Sequence, residues 1–267
     1  MIWILDLDGV IWLSEEAIAG SAEAVETLRT AGSAVLFVTN NAGPRVSDLA
    51  AKLDRIGIPT DPADIVTSAQ AAASMVEPGS TVLICAGPGV EEALEERGVN
   101  IVRQGDADAV VVGFHRDFDY QRLTAAFLAI HRGARLIGTN DDVTYPTPTG
   151  PVPGGGSILA AVASAAGLAP EVAGKPYAAM AATVAARLGG SPADGVMVGD
   201  RPSTDGLMAQ RLGLPFALVL SGVTSEDEAR SLVPAPLVVA ADLAAVVAGL
   251  LPAPDLADKA IPIQESA

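Results

Sequence analysis

Apolar and polar positions alternate in blocks along almost the whole chain. Short continuous apolar runs such as IWILD, AVLFVT, GVMVGD and PFALVLS end in polar residues, and LVVA is a further such run just before Asp242, the pattern of strands buried on both faces. Between them lie segments rich in helix formers. SAEAVETLRTAG opens on a serine and stops on a glycine, RVSDLAAKLDRIG repeats the helix pattern, and TDGLMAQRLG, SEDEARSL and DLAAVVAGLL are further helix-like segments. Such alternation predicts an α/β fold, a parallel sheet covered by helices.

The middle of the chain carries its own set: VLICAG, VEEALEERG, ADAVVVGF, YQRLTAAFLAIHRGA and RLIGTN, closing near SILAAVASAAGLAP. The piece DDVTYPTPTGPVPGGGS, dense in Pro and Gly, separates RLIGT from that last helix. Residues 79–169 are therefore expected to form an α/β domain inserted into a core built from 1–78 and 170–251. Residues 252–267 show no clear period and are expected to form a loose tail.

Composition narrows the function classes. Half of the 267 residues are hydrophobic, enough for a large core, and the formal charge of -16 argues against a nucleic-acid or anionic-membrane surface. Cys85 is the only cysteine, so no intramolecular disulfide can form, which suits a reducing cytosol. Its apolar setting, VLICAG, predicts a buried inert thiol. No basic region precedes the first apolar stretch, which Asp6 interrupts, and LVVAADLAAVVAGLL is broken by Asp242. The expectation is a cytoplasmic protein without a membrane partner; a homo-oligomer stays open.

Candidate chemistry sits where the strands end. Asp6 and Asp8, two apart on a strand, share a face, and like charges held that close call for a cation or strong donors. Thr39, Asn40 and Asn41 close a second strand, Asp200 a third, and Asp205 opens the next helix. Lys175 stands in EVAGKPY, and Lys52 and Lys259 are the only other lysines. In a parallel sheet such ends face the ligand crevice. Carboxylates in an open, wet site suit Mg2+, a hard ion that keeps several waters. Positive charge and oriented backbone donors around an acidic pair describe a phosphate site. There one carboxylate can attack phosphorus, while the other protonates the leaving oxygen and then activates water. Each piece also has a plain reading: a helix start at Asp205, a turn at Asn40-Asn41, an exposed lead-in at Lys175. Together, in this order, they favour the site.

DLDGV, VTNNAG, GKP and GDRPSTD resemble the four motifs of the haloacid dehalogenase (HAD) superfamily. Their arrangement is similar to its NagD-like, nitrophenylphosphatase-type branch, which carries a C2-type α/β cap inserted between the second and third motifs. Likeness extends to TSAQAAA, GARLIGTNDDVTYPT and LVLSGVT. The resemblance implies a doubly wound, Rossmann-like parallel-sheet core with an inserted α/β cap, and a Mg2+-dependent phosphatase acting on phosphomonoesters of small metabolites. It makes Asp6 the nucleophile and a metal ligand, and Asp8 the general acid/base with its backbone carbonyl on the metal. Thr39 and Asn40 would hold the phosphoryl group, Lys175 would balance charge between that group and Asp6, and Asp200 would ligate Mg2+. Asp205 would orient the metal's waters or Lys175. Dehalogenase-like members lack an acid at the position of Asp8, because a halide leaves without a proton.

By the same resemblance, TNDDVTYPT faces the core's catalytic edge, with Asn140 and Asp142 the residues to reach substrate; the competing reading is a tight turn in which these side chains bond their own backbone. The chain departs from relatives at His115, where an acid is common, and the residue is expected in a surface loop or against substrate. His131 reads as a helix-end residue, and Trp3 and Trp12 as core packing. Two rival functions remain: a phosphotransferase or mutase using the same intermediate, and a non-catalytic phosphometabolite-binding regulator.

Overall fold

The computed structural model describes residues 1–251 except 146, 148 and 193. The expected tail, 252–267, lies outside the described residues. The apolar runs form two parallel sheets. The first has six strands in the order Val238–Ala240, Phe216–Val219, Gly195–Gly199, Ile2–Leu5, Ala34–Thr39, Ile65–Thr67. The chain thus starts in the middle, winds outward on one side, leaves to build a second sheet, and returns to wind outward on the other side. This is a doubly wound α/β core whose strand order reverses between Ile2–Leu5 and Gly195–Gly199, and ligands bind at such a reversal.

The second sheet has five parallel strands in the order Glu171–Val172, Arg135–Gly138, Ala109–Val112, Thr81–Cys85, Asn100–Val102. Its edge strand Glu171–Val172 follows the boundary expected at 169, so the return to the first sheet comes a few residues later. Two residues carry no readable period, and only their pairing with Ile137 and Gly138 marks them as a strand. The antiparallel hairpins Trp12–Leu13/Glu16–Ala17 and Thr144–Tyr145/Val152–Pro153 are equally short.

The helices follow the punctuation with one shift. In Ser21–Thr30 the N-cap is Gly20, with φ +80°, and Ser21 Oγ instead donates to the Ile11 carbonyl at 3.2 Å. Ser68–Ser74 is capped by Thr67 and Gln70 reciprocally, and Asp242 caps Leu243–Leu250 through the Ala245 N–H. One continuous apolar cluster runs from the first sheet (Ile4, Val38) through Ala72 to the second (Val82, Ile84, Ile137). Helix Pro88–Arg97 of the second unit rests on the loop after Ala34–Thr39: the Gly89 N–H donates to the Gly43 carbonyl at 2.9 Å, and a Cβ at Gly89 would run into the carbonyls of Pro44 and Ala42. No helix among the described residues is long and apolar enough to cross a membrane.

Cys85 ends the strand Thr81–Cys85, 1% exposed, and burial pushes its thiol up to about 11. A raised pKa keeps the proton on sulfur, so at pH 8 the thiolate is about a thousandth of the population. The native protein should resist a disulfide reagent at pH 8 and react with one thiol per chain once unfolded in urea. Rapid labelling of the native chain would show that the strand is not closed.

Candidate active site

Three strand ends and one return segment converge at the reversal of strand order. Asp6 follows Ile2–Leu5 directly, and its Oδ1 accepts the Leu7 N–H at 2.8 Å. The turn that continues to Asp8 needs a glycine next. Gly9 has φ +87°, in the left-handed region, and a Cβ there would strike the Asp200 carboxylate. The Asp8-Gly9 turn and Asp200 are thus packed against each other without room for a side chain.

Lys175 is the centre of charge. Its Nζ is 2.7 Å from Asp6 Oδ1, 2.7 Å from Asp205 Oδ1 and 3.2 Å from the Val38 carbonyl, and the side chain is 1% exposed. Burial alone would lower its pKa, but Asp205 and Asp6 more than offset that and hold the ammonium charged. Asp205, fully buried, gives its other oxygen to the Arg201 N–H at 3.0 Å. Asp200 Oδ2 accepts the Val223 N–H at 2.8 Å; burial and then Asp205 push its carboxyl up to about 6. Asp6 is likewise raised, by burial first, with Lys175 opposing and Asp205 and Asp200 reinforcing.

That imbalance tests the fit of a metal. Carboxylate oxygens of Asp6, Asp200 and Asp205 lie within 4.8 Å of one another. Both oxygens of Asp205 are engaged by Lys175 and Arg201, whereas Asp6 Oδ2 and Asp200 Oδ1 have no hydrogen-bond partner among the described residues. One buried lysine faces three carboxylates, and the free donors are all oxygen. The set fits a hard divalent cation.

Asp8 is held differently. Its Oδ1 accepts from Trp12 Nε1 at 3.0 Å and from the Tyr145 hydroxyl at 2.9 Å, while Thr39 Oγ1 lies 3.5 Å from Oδ2. Burial raises its carboxyl, and the bonds from Tyr145 and Trp12 oppose the rise. Trp12 does pack in the core as expected, 2% exposed, but it also serves the acid, and Lys52 Nζ lies 4.1 Å from its ring centre.

Asn40 and Asn140 are placed at the site, yet their side chains are spent on the scaffold. Asn40 Oδ1 accepts the Lys175 N–H at 2.7 Å, and its Nδ2 donates to Asp142 Oδ2 at 2.9 Å and to the Lys175 carbonyl at 3.1 Å. Asn140 Nδ2 donates to the Asn40 carbonyl at 2.7 Å, and its Oδ1 accepts the Asp142 N–H at 3.1 Å. The second of these is the turn that competes with substrate contact in TNDDVTYPT, and it leaves Asn140 little capacity for a leaving group. Asp142 reaches back to the core at Asn40 and, at 3.3 Å, Arg201 Nη1. His115 is buried and not in a surface loop: its Nδ1 lies 2.9 Å from the Gly113 carbonyl, its ring meets Phe118 edge-on, and its Nε2 has no partner among the described residues. His131 ends its helix, stacked on Phe127.

The chamber at this edge is about 60 Å3 and is lined by Asp6, Asp8, Thr39, Lys175 and Asp200, among others. A cavity of about 580 Å3 between the two units shares Asn41, Phe114 and Tyr145 with it. Small chamber and large annex match a site that grips one common group and accommodates variable remainders. Three residues outside the expected site set complete it: Trp12, Tyr145 in TNDDVTYPT and Arg201 in GDRPSTD. An aromatic four residues after Asp8 is the one local signal among them.

Comparison with known proteins agrees with this geometry. Residues 3–100 match the haloacid dehalogenase-like hydrolase family, and residues 172–246 match a second HAD-hydrolase-like model. The acid sugar phosphatase of Staphylococcus haemolyticus is 33% identical over 229 residues, covering 85% of this chain and 87% of that protein. The glycerol phosphate phosphatase Rv1692 of Mycobacterium tuberculosis, solved in complex with calcium and with magnesium, superposes with a TM-score of 0.84 at 35% identity. Its calcium complex covers 92% of this chain and 74% of that one. The p-nitrophenyl phosphatase of Archaeoglobus fulgidus gives a TM-score of 0.85 at 30% identity, over 93% of this chain and 98% of that one. With the acidic cluster, the buried lysine and these relatives together, the chain belongs to the haloacid dehalogenase-like hydrolases, as a phosphatase of their NagD-like, nitrophenylphosphatase-type branch.

Proposed function

We propose that this phosphatase hydrolyses phosphomonoesters of small metabolites through an aspartyl-phosphate on Asp6, with Mg2+ held by Asp6, the Asp8 carbonyl and Asp200. The carrying observation is Lys175, 2.7 Å from both Asp6 and Asp205 at the floor of the chamber. A buried ammonium there opposes the rise that burial imposes on the Asp6 carboxyl, which favours its nucleophilic form, and it faces the phosphoryl oxygens. An Asp6 oxygen bonds to phosphorus as the ester P–O bond breaks, and Asp8 gives its proton to the departing oxygen. Asp8 then takes a proton from water as that water's oxygen bonds to phosphorus, releasing inorganic phosphate and restoring Asp6. The cation supplies neutralisation of phosphoryl charge when bound. Thr39 holds the phosphoryl group with its hydroxyl; the side chain of Asn40 being occupied, that residue contributes through its main chain. The inserted unit, carried through residue 172 on the sheet pairing, selects the leaving group, through Asp142 and its wall of the 580 Å3 cavity that both units line.

Activity should vanish on chelation with EDTA, return with Mg2+ and return poorly with Ca2+, which prefers more ligands and looser geometry. The measurement is inorganic phosphate released from a panel of phosphomonoesters, with added alcohols present as alternative acceptors. Full activity in metal-free protein would refute the metal site. Phosphate appearing on an acceptor in place of free phosphate would favour the phosphotransferase.

A further inference from the structure

We propose that Tyr145, carried by the inserted unit, is a positioning residue that fixes which oxygen of Asp8 delivers the proton to the leaving group; this rests on the acid role of Asp8 proposed above. A carboxylic acid has one oxygen that only accepts and one that carries the proton. Two donors, Trp12 Nε1 at 3.0 Å and the Tyr145 hydroxyl at 2.9 Å, converge on Oδ1. Oδ1 is therefore the accepting oxygen, and the transferable proton sits on Oδ2, the oxygen nearer Thr39 Oγ1. The same assignment holds after the proton has left, because a carboxylate Oδ1 accepts both bonds equally well.

The two donors differ in where they come from. Trp12 lies four residues beyond Asp8 in the same turn and stays with it. Tyr145 stands in the hairpin Thr144–Tyr145/Val152–Pro153, 137 residues away, and its hydroxyl reaches Asp8 only while that hairpin sits on the core. It is kept there by Asp142, bonded to Asn40 and Arg201, and by stacking of its ring on Phe114 at 6.3 Å between centres. Tyr145 also lines both the chamber and the 580 Å3 cavity, so a leaving group extending from one into the other runs along its ring. The acid is fully oriented only when the unit that selects the leaving group is seated, which ties proton delivery to recognition.

The test compares Tyr145→Phe, Asp8→Asn and the double variant on 4-nitrophenyl phosphate, whose leaving group needs no proton, and on an alkyl phosphate, whose leaving group does. Phenylalanine keeps the ring and its stacking on Phe114. In Tyr145→Phe, kcat on the alkyl phosphate should fall about 10-fold, part of the range of a general acid, while kcat on 4-nitrophenyl phosphate stays within about 2-fold. Vanadate inhibition, which needs only the core, should be unchanged. Adding Tyr145→Phe to Asp8→Asn should cost nothing further on the alkyl phosphate, because Tyr145 acts through Asp8. Equal losses on both substrates, or independent losses in the double variant, would overturn the assignment. If Asp8→Asn itself shows no dependence on the leaving group, the acid role of Asp8 fails first and takes that of Tyr145 with it.

Discussion

Asp6→Asn should reduce turnover by at least about four orders of magnitude on every phosphomonoester, good leaving group or poor, since an amide oxygen is a feeble nucleophile and nothing adjacent replaces it. The loss should fall on kcat and not be recovered by Mg2+ or by a change of substrate. The fold should survive. Lys175 keeps its 2.7 Å partner Asp205, and the substitution removes one of three crowded carboxylates instead of orphaning a charge. Activity is read as phosphate release and folding as the urea midpoint. Turnover within an order of magnitude of the parent would remove Asp6 from the chemistry.

Lys175→Met should be the most damaging single change to the folded state. The methionine fills much of the volume, but Asp6, Asp200 and Asp205 are then left buried without their ammonium. Breaking a buried pair from one side costs about 3–5 kcal/mol. The variant should unfold at clearly lower urea than the parent in metal-free buffer. Mg2+ should raise its midpoint more than the parent's, because a cation is then the only balance for those acids. Turnover should collapse as well, since nothing then opposes the rise that burial imposes on the Asp6 carboxyl. A midpoint equal to the parent's in metal-free buffer would mean that the lysine does not carry the charge balance described.

The core was legible because its information is local. Asp6, Thr39 and Asp200 stand at the ends of apolar runs, and parallel pairing brings those ends to one edge whatever the intervening chain does: Asp6 after Ile2–Leu5, Thr39 closing Ala34–Thr39, Asp200 after Gly195–Gly199. The partners of Asp8 and Asn40 were not legible for the opposite reason. Tyr145 and Asp142 meet them across 137 and 102 residues, and no spacing or period records which loop of one unit lands on which strand end of another. Asn140 shows the limit of a motif: the residue is where the resemblance places it, but its amide is spent inside the turn and on the Asn40 carbonyl. Strands of two residues leave no pattern, which is why Glu171–Val172 appears only through its pairing. The serine of SAEAVETLRTAG was a fair cap signal displaced by one, because Ile11 offered its hydroxyl a carbonyl.

Asn40 bears on how such enzymes can be recombined. Its main-chain carbonyl takes Ser68 Oγ at 2.6 Å and Asn140 Nδ2 at 2.7 Å, while its side chain grips Lys175 and Asp142, so one residue of the core is soldered to the inserted unit and to the segment that returns from it. A chimaera that imports a foreign cap by cutting at the sheet boundaries would sever this knot. The graft would arrive with a lysine held at the wrong height as readily as with a new specificity. The transferable module is therefore the cap with its own Asn140, Asp142 and Lys175 segment intact, joined to a host whose second strand ends in a matching asparagine.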